Sequence, residues 1–254
     1  MKDTLNKAAK ILTIIPAFNE EHTIAQVISG IKVHAPYCDI LVIDDGSSDA
    51  TALRARATGA KIIHLPFNMG YGIALQTGYK YALEKGYHYM VQLDGDGQHD
   101  PRYIEGLLSA VKSGETDVAI GSRFSKNNEN HVYRAGWMKR TGILLFSAIT
   151  SLIIKQKVSD PTSGYQAITR KVAQFYASEA YPCDYPDADV IIMLNRAGFR
   201  IKEIPVVMHQ NKNKKSMHSG MKPLYYVFKM FLSIFLTLLR KRELFNQGSG
   251  RVCP

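Results

Sequence analysis

Asp94-Gly95-Asp96 stands at the end of the apolar run YMVQL. Two carboxylates one residue apart at a strand end can share a divalent cation that also takes oxygens from a diphosphate. Such an ion would neutralise a departing nucleotide. An Asp-Gly pair is also an ordinary turn former, so spacing alone leaves both uses open, and it is the position at a strand end that favours the first. Asp94, Asp96, Gln98, Asp100 and Glu105 also fall at positions 1, 3, 5, 7 and 12 of an EF-hand loop. That reading fails locally, because position 6 is His99 where the loop needs glycine, and the segment follows a strand. In Asp44 to Thr51, DDGSSDAT, one acid or serine can cap the following helix, which leaves a spare aspartate for the ligand crevice. Gly70 and Gly72 of NMGYGIAL begin a G-x-G-x-x-G whose third place is Leu75, after the third strand instead of the first, so no nicotinamide site is expected. These glycines are read as permitting a close turn at the opening of a helix. The sequence has no P-loop, no H-E-x-x-H and no G-x-S-x-G, so metalloprotease and serine hydrolase readings lose their support. His22, His64 and His88 are read as surface or packing residues.

From Ile11 to about Gly121, short β-rich runs alternate with helical segments: ILTII with a helix near Glu21 to His34, DILVID with Ser48 to Thr58, KIIHL with Met69 to Lys85, YMVQLD with Pro101 to Lys112, and finally DVAIGS. Five strands alternating with helices predict a parallel sheet, and their unbroken apolar character predicts helices on both faces. In such doubly wound α/β layouts, ligands bind beyond the carboxyl ends of the strands. The residues there are PAFNEE, DDGSSD, PFNMG, DGDGQHD and GSRF. After Arg123 come a basic loop, an apolar helix near Gly142 to Ile154, the motif DPTSGYQ, one more strand in RIKEIPVVMH, and a helix near Leu224 to Leu239.

The chain has 254 residues, 46% of them hydrophobic, with 32 basic against 22 acidic side chains. A large globular core is therefore available, and disordered or collagen-like classes are excluded. The net charge of +10 asks for an anionic partner, and the basic excess is local: ten basic residues and one acid, Glu203, lie between Arg200 and Arg242. Cys38, Cys183 and Cys253 are odd in number and far apart, so neither a disulfide framework nor a zinc module is expected, and a reducing compartment is. The apolar start is too short for a signal peptide, and neither apolar helix reaches the ~20 residues of a membrane span.

IPAFNEE, VIDDGSSDAT, Asn68-Met69-Gly70, QLDGDGQHDP, GSR and DPTSGYQA together resemble family 2 glycosyltransferases of the GT-A fold, within them the polyprenyl-phosphate, dolichol-phosphate mannose synthase-like subgroup. The match runs from about Ile11 to His209. The resemblance implies a doubly wound, mostly parallel sheet flanked by helices. The composition divides the chain into a transferase unit over 1–210, a C-terminal amphipathic helical extension over 211–245 and a tail over 246–254 expected to be disordered. The resemblance also implies that Pro16, Ala17, Asn19, Glu20, Asp45, Asn68 and Asp94 line the nucleotide pocket, with Asp45 reading the base. Asp94, Asp96 and Gln98 would hold Mg2+ or Mn2+ against the diphosphate. Asp96, Arg123 and Asp189 are the implied catalytic residues, Asp189 standing where relatives usually carry glutamate.

The expected activity is inverting transfer of a sugar from a nucleotide-sugar to a polyprenyl phosphate at the cytoplasmic membrane face. An acceptor phosphate is already an anion and needs cations rather than a strong base, for which Arg123, Arg134, Lys215 and Arg200 qualify by type. The apolar LYYVFKMFLSIFLTLL, edged by lysine and arginine, is expected to lie in a membrane interface, the alternative being that it packs within the protein or on a partner. A small membrane protein and a second copy of the chain stay open as partners. Nucleic acid is not expected, since no RNA or DNA motif occurs. The alternatives are a transferase for a glycan or lipopolysaccharide precursor and a non-catalytic nucleotide-sugar-binding membrane scaffold.

Overall fold

The computed structural model describes residues 9–124, 137–179, 181–182, 186–209 and 222–240. In chain order the elements are β1 (Ile11–Ala17), α1 (Ile24–His34), β2 (Asp39–Asp44), α2 (Thr51–Ala57), β3 (Lys61–His64), α3 (Tyr71–Glu84) and β4 (Tyr89–Gln92). A 3-10 turn, Pro101–Tyr103, leads into α4 (Ile104–Lys112) and β5 (Val118–Ser122). Then follow α5 (Trp137–Ile154), β6 (Gln166–Thr169), α6 (Arg170–Tyr176), α7 (Ala188–Arg196), β7 (Ile201–Pro205) and α8 (Lys222–Leu239).

The apolar strands are sorted by parity. Leu12, Ile14, Leu41, Ile43 and Met90 face a core built with Leu75 and Tyr79 of α3, Phe146 of α5, Phe175 of α6, Ile191 of α7 and Met230 and Ile234 of α8. Their neighbours Ile11, Ile15, Val42 and Val91 face a second core with Ile24, Val27, Ile28 and Ile31 of α1 and Leu107, Leu108 and Val111 of α4. Successive strand side chains point to opposite faces, so helices on both sides require apolar residues at every strand position.

The seven-stranded sheet has the order β3-β2-β1-β4-β6-β5-β7. β1 to β4 are mutually parallel, and β5 and β7 run with them. β6 alone is antiparallel, between β4 and β5. The five strands of the alternating pattern run parallel and the sheet is mostly parallel as expected; it is mixed only through β6, with which the chain fills the gap that β5 leaves beside β4. Its register sets Gln166 opposite Gln92 of β4 and Ile120 of β5. Neither β6 nor α6 is among the expected elements; a four-residue strand, QAIT, is too short to show a period. α1 begins at Ile24 and not Glu21, because Glu20 to Thr23 form a turn in which the Thr23 and Ile24 amides donate to the Glu20 carbonyl.

Candidate active site

The loops after β1, β2 and β4 meet at the carboxyl edge of the sheet. The Asp45 amide donates to the Ala17 carbonyl at 2.9 Å, and the Gly95 amide to the Pro16 carbonyl at 3.4 Å. Asn19 holds a left-handed backbone, φ 56°, where its amide donates to Ser47 Oγ at 2.9 Å and its side-chain oxygen accepts the Ser48 amide at 2.9 Å. The Glu20 amide donates to Thr51 Oγ1 at 2.7 Å, and Thr23 Oγ1 to the Gly95 carbonyl at 2.8 Å. Gly95 packs closely: a Cβ there would lie 3.3 Å from that of Ala17 and 3.4 Å from the Pro16 oxygen.

Asp45 is nearly buried, and its two carboxylate oxygens accept the amides of Met69, at 2.8 Å, and Gly70, at 3.0 Å. This carboxylate therefore anchors the loop before α3, while the neighbouring Asn68 side chain is exposed. Two glycines make that closure feasible. Gly70 has φ 100°, and Gly46, φ 69°, would with a Cβ come within 2.5 Å of the Phe67 carbonyl carbon. The first of the two adjacent acids points elsewhere, since Asp44 is fully buried with His64 Nδ1 2.6 Å from its Oδ2.

Asp94 and Asp96 lie directly beyond β4, both partly exposed. Asp94 Oδ1 accepts the Tyr71 hydroxyl proton at 2.7 Å. His99 Nδ1 accepts the Asp94 amide at 3.0 Å, its ring stacked on Tyr165 at 4.9 Å, which leaves Nε2 3.8 Å from Asp94 Oδ2. Burial pushes the Asp94 carboxyl above the usual carboxylate range and the Asp96 charge adds to this, against the opposing pull of His99, Tyr71 and Arg123. Asp96 accepts the Gln98 amide at 2.9 Å through Oδ1 and Gln98 Nε2 at 2.5 Å through Oδ2. Asp94, Asp96 and Gln98 are thereby brought together.

Whether these residues fit a divalent cation is a question of donor chemistry. Among the described residues no cluster of three or more His, Cys, Asp or Glu gathers as a closed cage. Two hard carboxylate donors at one strand end match the way Mg2+ is held by one or two side chains while substrate phosphates and water complete its shell. They fit such a group.

Other expected residues stand in different settings. Arg123, directly after β5, turns its guanidinium inward: Nε and Nη2 donate to the two oxygens of buried Asp160 at 2.7 Å each, and Nη2 to Thr162 Oγ1 at 3.0 Å. With the Arg123 side chain only 7% exposed, this bidentate pair fastens the DPTSGYQ segment to β5, a role that no sequence motif indicates. Arg200 stands just before β7 at the opposite edge of the sheet, where Asp117 and the Gly114 carbonyl hold it, so it is not at the site. Asp189 occupies the first turn of α7, fully buried, with the amides of Asp187 and Val190 donating to Oδ1 at 3.1 and 2.8 Å and Ser233 of α8 donating to Oδ2. Burial raises its proton affinity. Arg134, Lys215 and the segment over 246–254 lie outside the described residues. Tyr71, Gln92, His99 and Tyr165 are site neighbours to which the sequence reading gives no role, although the quoted motifs contain them.

The pattern that defines glycosyl transferase family 2 matches residues 13–176, from within β1 to the end of α6, and so includes the segments that carry Asp45, Asp94, Asp96, Arg123 and Asp160. The chain belongs to that family. As a family 2 glycosyltransferase it is 33% identical over 198 residues to an uncharacterized protein of Methanocaldococcus jannaschii, covering 78% of this chain and 80% of that protein. It is 29% identical over 230 residues to the polyprenol monophosphomannose synthase of Mycolicibacterium smegmatis, 85% of this chain and 84% of the relative. The crystal structure of glucosyl-3-phosphoglycerate synthase from Mycobacterium tuberculosis, in complex with Mn2+, UDP and phosphoglyceric acid, aligns with a TM-score of 0.64 at 22% identity, over 91% of this chain and 78% of that one. That likeness is one of fold, and it agrees with the α/β architecture expected from sequence.

Proposed function

We propose that this glycosyltransferase moves a hexose from a nucleoside diphosphate sugar to a polyprenyl phosphate with inversion, using Mg2+ or Mn2+, at the cytoplasmic face of a membrane. The observation that carries the reading is the Asp94 and Asp96 pair, held at the carboxyl edge of the sheet beside Pro16 and Ala17 at the end of β1 and the loops that bear Asn19, Glu20 and Asp45. The names borne by its relatives, a polyprenol monophosphomannose synthase among them, support the acceptor class.

The cation, when bound, supplies positive charge against the departing diphosphate. The chain's own residues do the rest. The loops after β1 and β2 form a polar floor for the nucleoside, with Asp45 keeping the loop before α3 closed over it. Asp94, Asp96 and Gln98 would hold that cation. Arg123 with Asp160 fixes the DPTSGYQ turn on the far side, so the acceptor can be aligned behind the anomeric carbon. Arg134 and Lys215 are assigned by residue type to the acceptor phosphate, and Asp189 to a supporting place behind it on α7.

Membrane attachment rests on the helices. No helix among the described residues is long and apolar enough to cross a membrane. α8 buries Met230, Ile234 and Thr237 and exposes Phe228, Phe231, Leu232, Phe235, Leu236 and Leu239 on its other side. An apolar stripe of this kind on one face of a helix fits one lying in a bilayer interface. In this reading α8 serves the lipid acceptor through its exposed face while its buried face packs on the core of the transferase.

The test is transfer from a panel of nucleotide-sugars to a short-chain polyprenyl phosphate, with Mn2+ or Mg2+ and with chelator, for the wild type and Asp96→Ala. A chelator-sensitive lipid-phosphate sugar, reduced at least about a hundredfold in the variant, is the expected product. Metal-dependent nucleotide binding without any lipid product overturns the acceptor and points to a glycan acceptor. No nucleotide binding overturns the donor site as well.

A further inference from the structure

Tyr71 is the first residue of α3, directly after Gly70, whose amide is held by Asp45. It stands between the loop closed by one site carboxylate and the carboxylate of another. Its hydroxyl has one proton, and that proton is given to Asp94 Oδ1 at 2.7 Å. The hydroxyl oxygen itself accepts Gln92 Nε2 at 3.0 Å, and Gln92 Oε1 in turn accepts the hydroxyl of fully buried Tyr79. The chain of donors therefore has one direction, Tyr79 to Gln92 to Tyr71 to Asp94, and it starts in the core and ends at the partly exposed carboxylate. Hydrogen bonds aligned in this way polarise one another.

A third wall closes the arrangement. At Gly164, in the DPTSGYQ turn, an added Cβ would lie 2.7 Å from Tyr71 Oη, 3.4 Å from Gln92 Nε2 and 3.6 Å from Asp94 Oδ1. The turn that Arg123 fastens to β5 thus confines the Tyr71 hydroxyl from the side opposite α3.

We infer that Tyr71 is a positioning residue of the donor site, fixing the Asp94 carboxylate in the orientation that receives a divalent cation with a diphosphate; this rests on the donor-site reading above. Groups that hydrogen-bond a metal-ligating carboxylate typically change metal affinity or activity about tenfold to a hundredfold when removed. A hydroxyl that merely filled the core would change stability instead.

The experiment measures Mn2+ affinity by calorimetry in the presence of UDP or GDP, whichever the full-length wild type binds, alongside the Mn2+ dependence of sugar transfer. Tyr71→Phe is expected to weaken Mn2+ binding at least about tenfold and to raise the Mn2+ concentration needed for half activity equally, with most of kcat regained at saturating metal. Tyr176→Phe removes another buried hydroxyl of the same aromatic group, one that donates to Gln166, and is expected to leave Mn2+ affinity unchanged. Should Tyr71→Phe fail to fold, Gly164→Ala, which displaces the hydroxyl, carries the same expectation. Unchanged Mn2+ affinity in the folded Tyr71 or Gly164 variant, with wild-type binding intact, overturns the inference alone. A fall in kcat that metal does not restore, or an equal loss in Tyr176→Phe, also overturns it. A wild type that binds no metal-nucleotide complex overturns the donor-site reading and this inference with it.

Discussion

Asp189 shows how far a single side chain's setting can depart from its sequence position. The acid lies in the first turn of α7, yet α8 covers it, and Ser233 donates to its carboxylate. Burial raises its proton affinity above the ordinary carboxyl value of 3.8. A carboxyl with a raised folded-state pKa contributes stability that is complete below about pH 4 and is lost as pH rises through the folded value. Asp189→Asn cannot ionise and can still accept the two amides. The difference in melting temperature between Asp189→Asn and wild type is therefore expected to shift in favour of the variant as pH rises above about 4 and to level off beyond the folded value, as read by thermal unfolding across pH; a difference independent of pH would show that the group does not titrate in the folded protein. At this scale the juxtaposition of Asp94 and Asp96 was legible, because they are one residue apart at the end of an apolar strand run. The Arg123 partner was not, since Asp160 lies 37 positions further on and nothing local links them.

At the scale of elements, the alternating runs from β1 to β5 were legible because helices on both faces demand apolar residues at every strand position. β6 was not, because its place between β4 and β5 is decided by pairing partners distant in sequence. The packing of α3 on β1 is a case where propensity and tertiary contact disagree. Gly78 is buried in α3, and a Cβ there would overlap the Ile14 side chain. Alanine is the better helix former by about 1 kcal/mol, but overfilling a packed contact costs about 1–3 kcal/mol. Gly78→Ala is expected to lower the urea midpoint by the corresponding net amount, and a raised midpoint would show that the two elements have room between them.

At the scale of the molecule, most of the exposed large apolar side chains among the described residues lie on two helices. Leu144, Leu145 and Leu152 of α5 are exposed, as is the outer face of α8, and Phe146 and Phe231 join the two helices with rings 5.6 Å apart. Each such side chain gains about 1.5–3 kcal/mol on full removal from water. Replacing Leu232, Phe235 and Leu236 together by glutamate is expected to reduce co-sedimentation with anionic phospholipid vesicles more than about tenfold while the melting temperature holds; unchanged vesicle binding would place the attachment elsewhere. The sequence by itself determined the α/β class and the family, and it directed attention to the residues at the carboxyl edge, because periodicity and strand-end motifs are local properties of the chain. Only the tertiary structure decided which side of α8 stays outside, that Arg123 answers Asp160, that Arg200 lies at the wrong edge of the sheet, and that Tyr71 reaches Asp94. These are contacts between residues far apart in sequence, and they are set by how strands order and helices pack once the chain closes on itself.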